Sequence, residues 1–338
     1  MKILITGCSG FIGYHLTHKL LSKNIKVIGV DMMNDYYDIN LKKKRLSNLK
    51  KLAKPNKNFV FYKLNISDFK KLNKVFNENK LDYVINLAAQ AGVRDSIKIP
   101  QRYLDYNITG FLNILELSNK HNIKHLLYAS TSSIYGLNKN FPLKESESTE
   151  HQIQFYAVTK KTNELMAHAW SQLYNLPVTG FRFFTVYGPW GRPDMALYKF
   201  ADSIINNKPI ELFNKGDHVR DFTYIDDVIH GIYSAIKKIP KKNNKNINFN
   251  TSNSTSPFKI YNLGCGREVT LKNYLRLIEK NLNKKAKIKY LPMQLGDIHK
   301  TSADITLAKK ELGYNPKVNV EEGIKNFISW FKYYKKYK

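Results

Sequence analysis

Lys2 to Thr6 is an apolar run cut off by Gly7-Cys8-Ser9-Gly10-Phe11-Ile12-Gly13, after which Ile12, Leu16 and Leu20 recur at helical spacing. A strand that ends in closely spaced glycines and continues as an amphipathic helix has few folds open to it. The chain must turn tightly, and the helix that follows begins with backbone amides that have no partner within it. Such a turn lets the backbone approach a pyrophosphate and stabilises its charge on those amides. The spacing is GxxGxxG rather than GxGxxG, and dense glycines also occur in tight turns that bind nothing. A second strand, Lys26 to Val30, ends at Asp31, whose carboxylate suits the hydroxyls of an adenosine ribose and repels a 2′-phosphate. This favours NAD over NADP.

Strand and helix keep alternating. Phe59 to Leu64 reads as a strand, a helix starts at Phe69, and Tyr83 to Leu87 is the next strand. A long helix then carries Leu104, Ile108, Phe111, Leu112 and Leu115 on one stripe. Strand Lys124 to Ala129 delivers Ser130, Thr131, Ser132 and Ser133 at its carboxyl end, the edge where ligands bind in parallel sheets. The fold class expected is α/β: a doubly wound parallel sheet of Rossmann type with a smaller C-terminal substrate-binding lobe.

Tyr156-Ala157-Val158-Thr159-Lys160 opens a further helix, with Leu165, Met166, Ala169, Trp170 and Leu173 as its apolar stripe. Residues i and i+4 share a face, so the Lys160 ammonium is placed to favour the Tyr156 phenolate and to lower a pKa that is ordinarily about 10. That would make a base. The same spacing also arises where Tyr and Lys merely pack on a solvated face. After strand Val178 to Phe183, Gly188, Pro189, Gly191 and Pro193 interrupt the alternation. Residues 1–183, with a returning segment around 223–240, are expected to form the dinucleotide-binding domain, and 184–338 mainly the substrate lobe. Lys241 to Pro257, rich in Asn, Ser and Lys, reads as an exposed loop.

The net charge of +28 raises nucleic acid or an anionic membrane surface as a partner. Lysine, however, is spread over nearly every segment, and no nucleic-acid-binding module accompanies it. The densest run, Lys42-Lys43-Lys44-Arg45 continuing to Lys50, Lys51, Lys54 and Lys57, reads as a solvated helix face. What survives is attraction of an acidic substrate, with neither nucleic acid nor membrane as partner. Cys8 and Cys265, the two cysteines, suggest neither a disulfide framework nor a thiolate metal site, so no metal is expected. Without a signal-peptide pattern or a long apolar span, a cytoplasmic location is expected.

With the glycine turn, Asp31, the Ser/Thr cluster and the Tyr156/Lys160 pair in this order, the chain resembles the extended short-chain dehydrogenase/reductase family, NAD-dependent epimerases and dehydratases of nucleotide sugars. The resemblance covers almost the whole chain. Three longer stretches, Ala88 to Arg94, Arg182 to Ala196 and Arg220 to Asp227, look more narrowly like the UDP-glucuronate 4-epimerases. The resemblance implies conversion of UDP-glucuronate to UDP-galacturonate through a 4-keto intermediate, in a homodimer formed through paired helices and serving polysaccharide biosynthesis. The alternatives are 4-epimerisation of a neutral UDP-hexose or UDP-N-acetylhexosamine, or decarboxylation of UDP-glucuronate. A nucleotide-sensing module of the same fold would have no use for a Tyr/Lys pair beside a Ser/Thr cluster.

Position by position, the resemblance makes Tyr156 the acid/base on the sugar 4-hydroxyl. Lys160 would hold the nicotinamide ribose, and Thr131 would hydrogen-bond the reacting hydroxyl. Gly7, Gly10, Gly13, Asp31, Asn65, Ala88 and Asn107 would surround NAD. Asn65 stands where the family usually has an Asp facing the adenine amino group; its carbonyl oxygen can still accept that bond. Arg220 and Asp297 would contact the UDP half, and Thr185, Ser132 and Ser133 the sugar. Arg192, and less directly Arg94, would read the uronate carboxylate, because a guanidinium clamps such a group with two parallel bonds. Dehydrating relatives carry an Asp-Glu pair after the equivalent of Thr131, and decarboxylases a Glu at the second position. Ser132 and Ser133 supply no carboxylate there, which implies that the reaction stops at epimerisation.

Overall fold

The computed structural model describes residues 1–243, 249–294 and 296–337. Six strands in chain order, β1 (Lys2–Thr6), β2 (Lys26–Asp31), β3 (Phe59–Lys63), β4 (Tyr83–Asn86), β5 (His125–Thr131) and β6 (Val178–Phe183), alternate with helices. The helices are α1 (Phe11–Ser22), α2 (Ile39–Ala53), α3 (Phe69–Glu78), α4 (Val93–Lys98), α5 (Pro100–Tyr103), α6 (Gly110–Lys120) and α7 (Phe155–Tyr174). The strands read as unbroken apolar runs because helices cover both faces of the sheet. Asp38 and Asp68 cap α2 and α3 by accepting from Asn40 N and Lys71 N, whereas α1 starts at Gly10 with no side-chain cap.

The second half of the chain supplies β7 (Thr185–Tyr187), β8 (Pro209–Phe213), β9 (Val219–Tyr224), β10 (Phe258–Leu263), β11 (Glu268–Thr270) and β12 (Lys287–Leu291). Its helices are α8 (Ala196–Ile205), α9 (Ile225–Ala235), α10 (Leu271–Leu282), α11 (Thr306–Leu312) and α12 (Val320–Lys335). The main sheet runs β10-β6-β5-β4-β1-β2-β3 and every pairing in it is parallel. Strand order reverses beside β1, and the crevice above that point is where an open α/β sheet takes its ligand. The lobe is built on two small sheets, β11-β9-β7 and β12-β8. Its aromatic core, in which Phe222 stacks on Tyr274 at 3.8 Å, is continuous with the core under α1. No helix among the described residues is long and apolar enough to cross a membrane.

Five expectations need correction. The returning segment exists as α9, packed on α1, but β10 also returns and adds a seventh strand to the sheet. Of the expected loop 241–257, residues 244–248 lie outside the described residues, and the part from Thr251 to Pro257 is not exposed. There Ser252 and Ser256 are buried, and Thr251 reaches Arg182 and the Glu145 carbonyl. The α7 stripe is split: Leu165 is 59% and Leu173 69% exposed, Met166 and Trp170 pack against the core, and Lys160, Asn163 and Glu164 are buried. The stripe through Leu104 holds at Phe111 and Leu115, which are buried, but not at Leu104, which is exposed, because residues Leu104–Thr109 form a π-turn that shifts the helical register by a residue. Tyr103, Asn107 and Ile114 also face inward. The basic run, finally, is not a solvated face throughout, since Lys42 and Arg45 are buried.

Candidate active site

The glycine turn is shaped by two close approaches. Gly7 has φ +69°, and a Cβ there would lie 2.9 Å from the Ala88 amide nitrogen; a Cβ on Gly13 would lie 2.0 Å from the Gly7 carbonyl oxygen. Any side chain at Gly13 would push α1 off the turn, so the helix N-terminus would lose its place at the sheet edge. Arg45, fully buried, holds the turn from behind. Its guanidinium donates to the carbonyl of Ser9 at 3.0 Å, to the Tyr37 hydroxyl at 2.7 Å and to the carbonyls of Trp190 and Gly191. One side chain thus ties the glycine turn to the loop that carries Arg192.

A cleft runs from this turn across the carboxyl edge of the sheet. One end is lined by Gly7, Gly10, Gly13, Asp31, Lys42 and Asn65, and the other by Ala88, Thr131, Tyr156, Lys160 and Arg192. Asp31 accepts the Ser9 amide at 3.0 Å and the Met33 amide at 2.8 Å, leaving a lone pair on each oxygen for a ligand hydroxyl. Asn65 Oδ1 accepts the Ser67 amide at 3.1 Å. Asn107 does not line the cleft. Its amide bonds Gln90 N, Gln90 O and the Thr159 hydroxyl at 2.8–3.0 Å, so it braces the wall formed by residues 88–91 against α7.

Tyr156 and Lys160 both line the inner end of the cleft. The Tyr156 amide donates to Ser96 Oγ at 3.1 Å, which fixes the start of α7. Burial raises the Tyr156 pKa, with the Arg192 charge and hydrogen bonding with Thr131 acting the other way. The expected lowering by Lys160 is therefore not found: desolvation prevails, and the groups that favour the phenolate are Arg192 and Thr131. Burial also brings the Lys160 ammonium down to about 8, opposed by Glu164 one turn further on. No carboxylate pairs with Lys160 among the described residues, so a buried cation faces the cleft without an anion. Ser132 and Ser133 begin the tight turn after β5, where Thr131 Oγ1 donates to Ser133 Oγ at 3.2 Å. Neither lines the cleft.

Arg192 sits at the mouth, already bound to Asp194 through Nε at 3.0 Å and through Nη2. Burial works against its charge, but Asp194 more than offsets this and holds its pKa above the ordinary value. The Nε and Nη2 side of the guanidinium is thus occupied by Asp194. A second, wider cleft is lined by Arg94, Thr185, Phe213, His218, Arg220 and Asp297. In it Arg220 Nη2 lies 3.3 Å from Asp297 Oδ1, and the Arg94 guanidinium lies over the Phe213 ring at 4.8 Å. Arg220 and Asp297, both expected at the UDP half, lie together here, whereas Arg94, expected with Arg192 to read the carboxylate, lines this second cleft and not the first.

The GDP-mannose 4,6 dehydratase family model matches residues 4–327. The chain belongs to that family. Protein CapI of Staphylococcus aureus is 46% identical over 99% of this chain and all of that protein. A probable UDP-glucuronate 4-epimerase of Rhizobium meliloti (strain 1021) is 41% identical over 98% of this chain and 97% of that protein. The crystal structure of the UDP-glucuronic acid 4-epimerase from Bacillus cereus, in complex with UDP-glucuronic acid and NAD, superposes with a TM-score of 0.87 at 31% identity, covering 99% of this chain and 100% of that one.

Four contributors to the site escaped the sequence reading. Arg45 shares the i, i+4, i+8 row of Leu41, Leu49 and Ala53, which marks it as inward-facing. Arg182 lies near the carboxyl end of the fully buried strand Val178–Phe183, where a charge needs a partner, and Glu164 is that partner. His218 carried no signal beyond its closeness to Arg220.

Proposed function

We propose that this protein is an NAD-dependent 4-epimerase of a UDP-uronate, interconverting UDP-glucuronate and UDP-galacturonate. The observation that carries this reading is one cleft joining Gly7, Gly10 and Asp31 at one end to Thr131, Tyr156 and Lys160 at the other. The residues fit NAD: an uncapped helix N-terminus for the pyrophosphate, Asp31 for the adenosine ribose and the unpaired Lys160 ammonium for the nicotinamide ribose. Bound NAD supplies a hydride acceptor that takes and returns hydrogen at C4 of the sugar.

Tyr156 Oη removes the proton from the 4-hydroxyl and later returns it, while Thr131 holds that oxygen in line. The raised pKa of Tyr156 suits the return step, and Arg192 favours the phenolate that the first step needs. Arg220 anchors the diphosphate in the second cleft, so the sugar can present either face to Tyr156 without leaving the protein. Ser132 and Ser133 provide no carboxylate for elimination or decarboxylation. Incubating the protein with NAD and UDP-glucuronate tests the reading by NMR. A reversible mixture with UDP-galacturonate is expected; UDP-pentose as the main product, or turnover confined to UDP-glucose, would overturn it.

Arg192 reads the sugar carboxylate with its free Nη1 edge. Because Asp194 occupies the other face, Arg192→Ala is expected to lower the preference for UDP-glucuronate over UDP-glucose by about ten- to a hundredfold, the worth of one hydrogen bond to a charged group. The ratio of kcat/KM for the two substrates measures it, and an unchanged ratio removes Arg192 from the role.

The outward-facing apolar side chains of α7 support assembly as a homodimer. Val158, Leu165, Leu173 and Tyr174 are exposed on one helix, beside the exposed Leu104 at the start of the π-turn. Leu165→Glu with Leu173→Glu is expected to give a monomer in sedimentation experiments in which the unsubstituted protein is a dimer. A cytoplasmic site of action and a product destined for a polysaccharide complete the proposal.

A further inference from the structure

His218 is a buried base with nothing to do in the chemistry above. Its side chain is 4% exposed, and neither ring nitrogen has a hydrogen-bond partner. Nε2 lies 3.5 Å from Asp297 Oδ2, within reach of an ion pair if the ring is protonated but without the geometry of a hydrogen bond. Asp297 Oδ1 in turn lies 3.3 Å from Arg220 Nη2 and accepts the Ile298 amide at 3.2 Å. One carboxylate is therefore shared between a permanent cation and a titratable one, and all three side chains line the second cleft. Burying an imidazole without partners is costly, and a fold that keeps one needs an occasion on which it is paired.

We infer that His218 is a positioning residue that takes up a proton when the diphosphate of a UDP-sugar enters, replacing Arg220 as the partner of Asp297. The inference rests on the UDP-sugar reading of the second cleft. Two phosphate charges draw the Arg220 guanidinium towards themselves, since a bidentate phosphate contact is stronger than a single 3.3 Å approach to a carboxylate. Asp297 then loses its counterion, and the nearest group able to supply a positive charge is the His218 ring. The other charged groups facing that ring are Asp217 beside it and His299, whose ring centroid is 6.3 Å away and whose Nε2 lies 3.5 Å from Asp217. The first turn of α10, whose Leu271 amide bonds the His218 carbonyl, carries no acid and one cation, Lys272, whose stem lies against Gly216.

The direction of the effect follows from these neighbours. In the free protein burial, then the Arg220 charge, hold the His218 pKa below its ordinary value, with Asp297 opposing them. Bound diphosphate adds negative charge and withdraws Arg220 from Asp297, so the pKa rises on binding. The complex then holds a proton that the free protein lacks. Affinity must strengthen as pH falls through the pKa of the complex and level off below that of the free protein, with a slope of at most about tenfold per pH unit for one proton.

The test uses NAD-loaded protein carrying Tyr156→Phe, which slows turnover and removes the phenol, with UDP-glucose as probe. Its diphosphate ester does not titrate near neutrality, and it shares the UDP half of the uronate. Calorimetry is expected to show Kd weakening by about fivefold or more from about pH 6 to 8, with net proton uptake seen in buffers of different ionisation enthalpy. His218→Gln can hydrogen-bond Asp297 but cannot titrate, so its Kd should stay flat over that range; His299→Gln should keep the slope. UDP-glucose binding with no slope, or a slope retained in His218→Gln, overturns the inference and leaves the UDP-sugar reading standing. Failure of UDP-glucose to bind at all overturns both.

Discussion

Tyr156→Phe is expected to lower kcat by about 100- to 10,000-fold, the range for removing a positioned acid/base. The substitution deletes one oxygen at the inner end of the cleft and leaves the ring, whose packing against Tyr103 at a centroid distance of 6.3 Å is unchanged. The Tyr156 amide still bonds Ser96, so the start of α7 is not disturbed. Folding and affinity for NAD should therefore remain those of the parent, and KM should move little. Thr131 remains able to hydrogen-bond the 4-hydroxyl but cannot remove its proton, since an aliphatic hydroxyl without a base is far too weak. Stopped-flow absorbance of the reduced cofactor gives a second reading: the parent accumulates a small fraction of it with substrate, and the variant none. Turnover within tenfold of the parent would remove Tyr156 from the acid/base role.

What the sequence revealed about this site depended on the distance over which each feature acts. The turn Gly7 to Gly13 and the Tyr156/Lys160 pair are local, set by backbone conformation and by one turn of helix, and both stand where their spacing placed them. Asp31 was legible because it ends a strand whose neighbour begins the helix it serves. The errors arose where the environment of a helix decided between equally regular faces. In α7 the apolar stripe of Leu165 and Leu173 and the polar stripe of Lys160, Asn163 and Glu164 have the same period, and only the buried partners of the polar one determine which turns inward. Periodicity gives the helix and not its orientation when the core it meets is itself polar. The π-turn at Leu104–Thr109 was hidden for a similar reason, since an added residue in a helix has no composition of its own. The electrostatics of Tyr156 needed the fold: spacing alone identified the nearest cation in sequence, whereas the charge that acts on the phenol comes from Arg192 in another segment.

Glu164→Ala is expected to remove about 3–5 kcal/mol of folding stability, the cost of stripping one partner from a buried ion pair. Glu164 and Arg182 are 3% and 0% exposed. Glu164 Oε1 accepts Arg182 Nε at 3.0 Å and the Ser130 hydroxyl at 2.6 Å, and Oε2 accepts Arg182 Nη2 at 2.9 Å. Burial opposes the charge of Arg182, yet Glu164 more than offsets it, so without Glu164 the guanidinium is left buried with two donors unmet. Its remaining bonds, to the Tyr135 hydroxyl, the Glu145 carbonyl and the Thr251 hydroxyl, keep it from moving to solvent. For a domain whose whole stability is about 5–15 kcal/mol, a loss of this size should be plain in denaturant unfolding of the NAD-free protein. Glu164→Gln keeps an acceptor for Ser130 and one for Arg182 and should lose less. The same carboxylate supports the charge of Lys160, which burial brings from 10.5 to about 8. The cost of that buried ammonium is present below about pH 8 and relieved as pH rises from there towards 10.5, because the unfolded chain then holds a proton the folded one has shed. Removing Glu164 moves the start of this window to lower pH. NAD affinity, where it depends on the Lys160 ammonium, should therefore begin to fall at a lower pH in Glu164→Gln than in the parent. Stability within 1 kcal/mol of the parent would show that the Arg182 charge is satisfied elsewhere; an unmoved pH limb would show that Glu164 serves the fold and not Lys160.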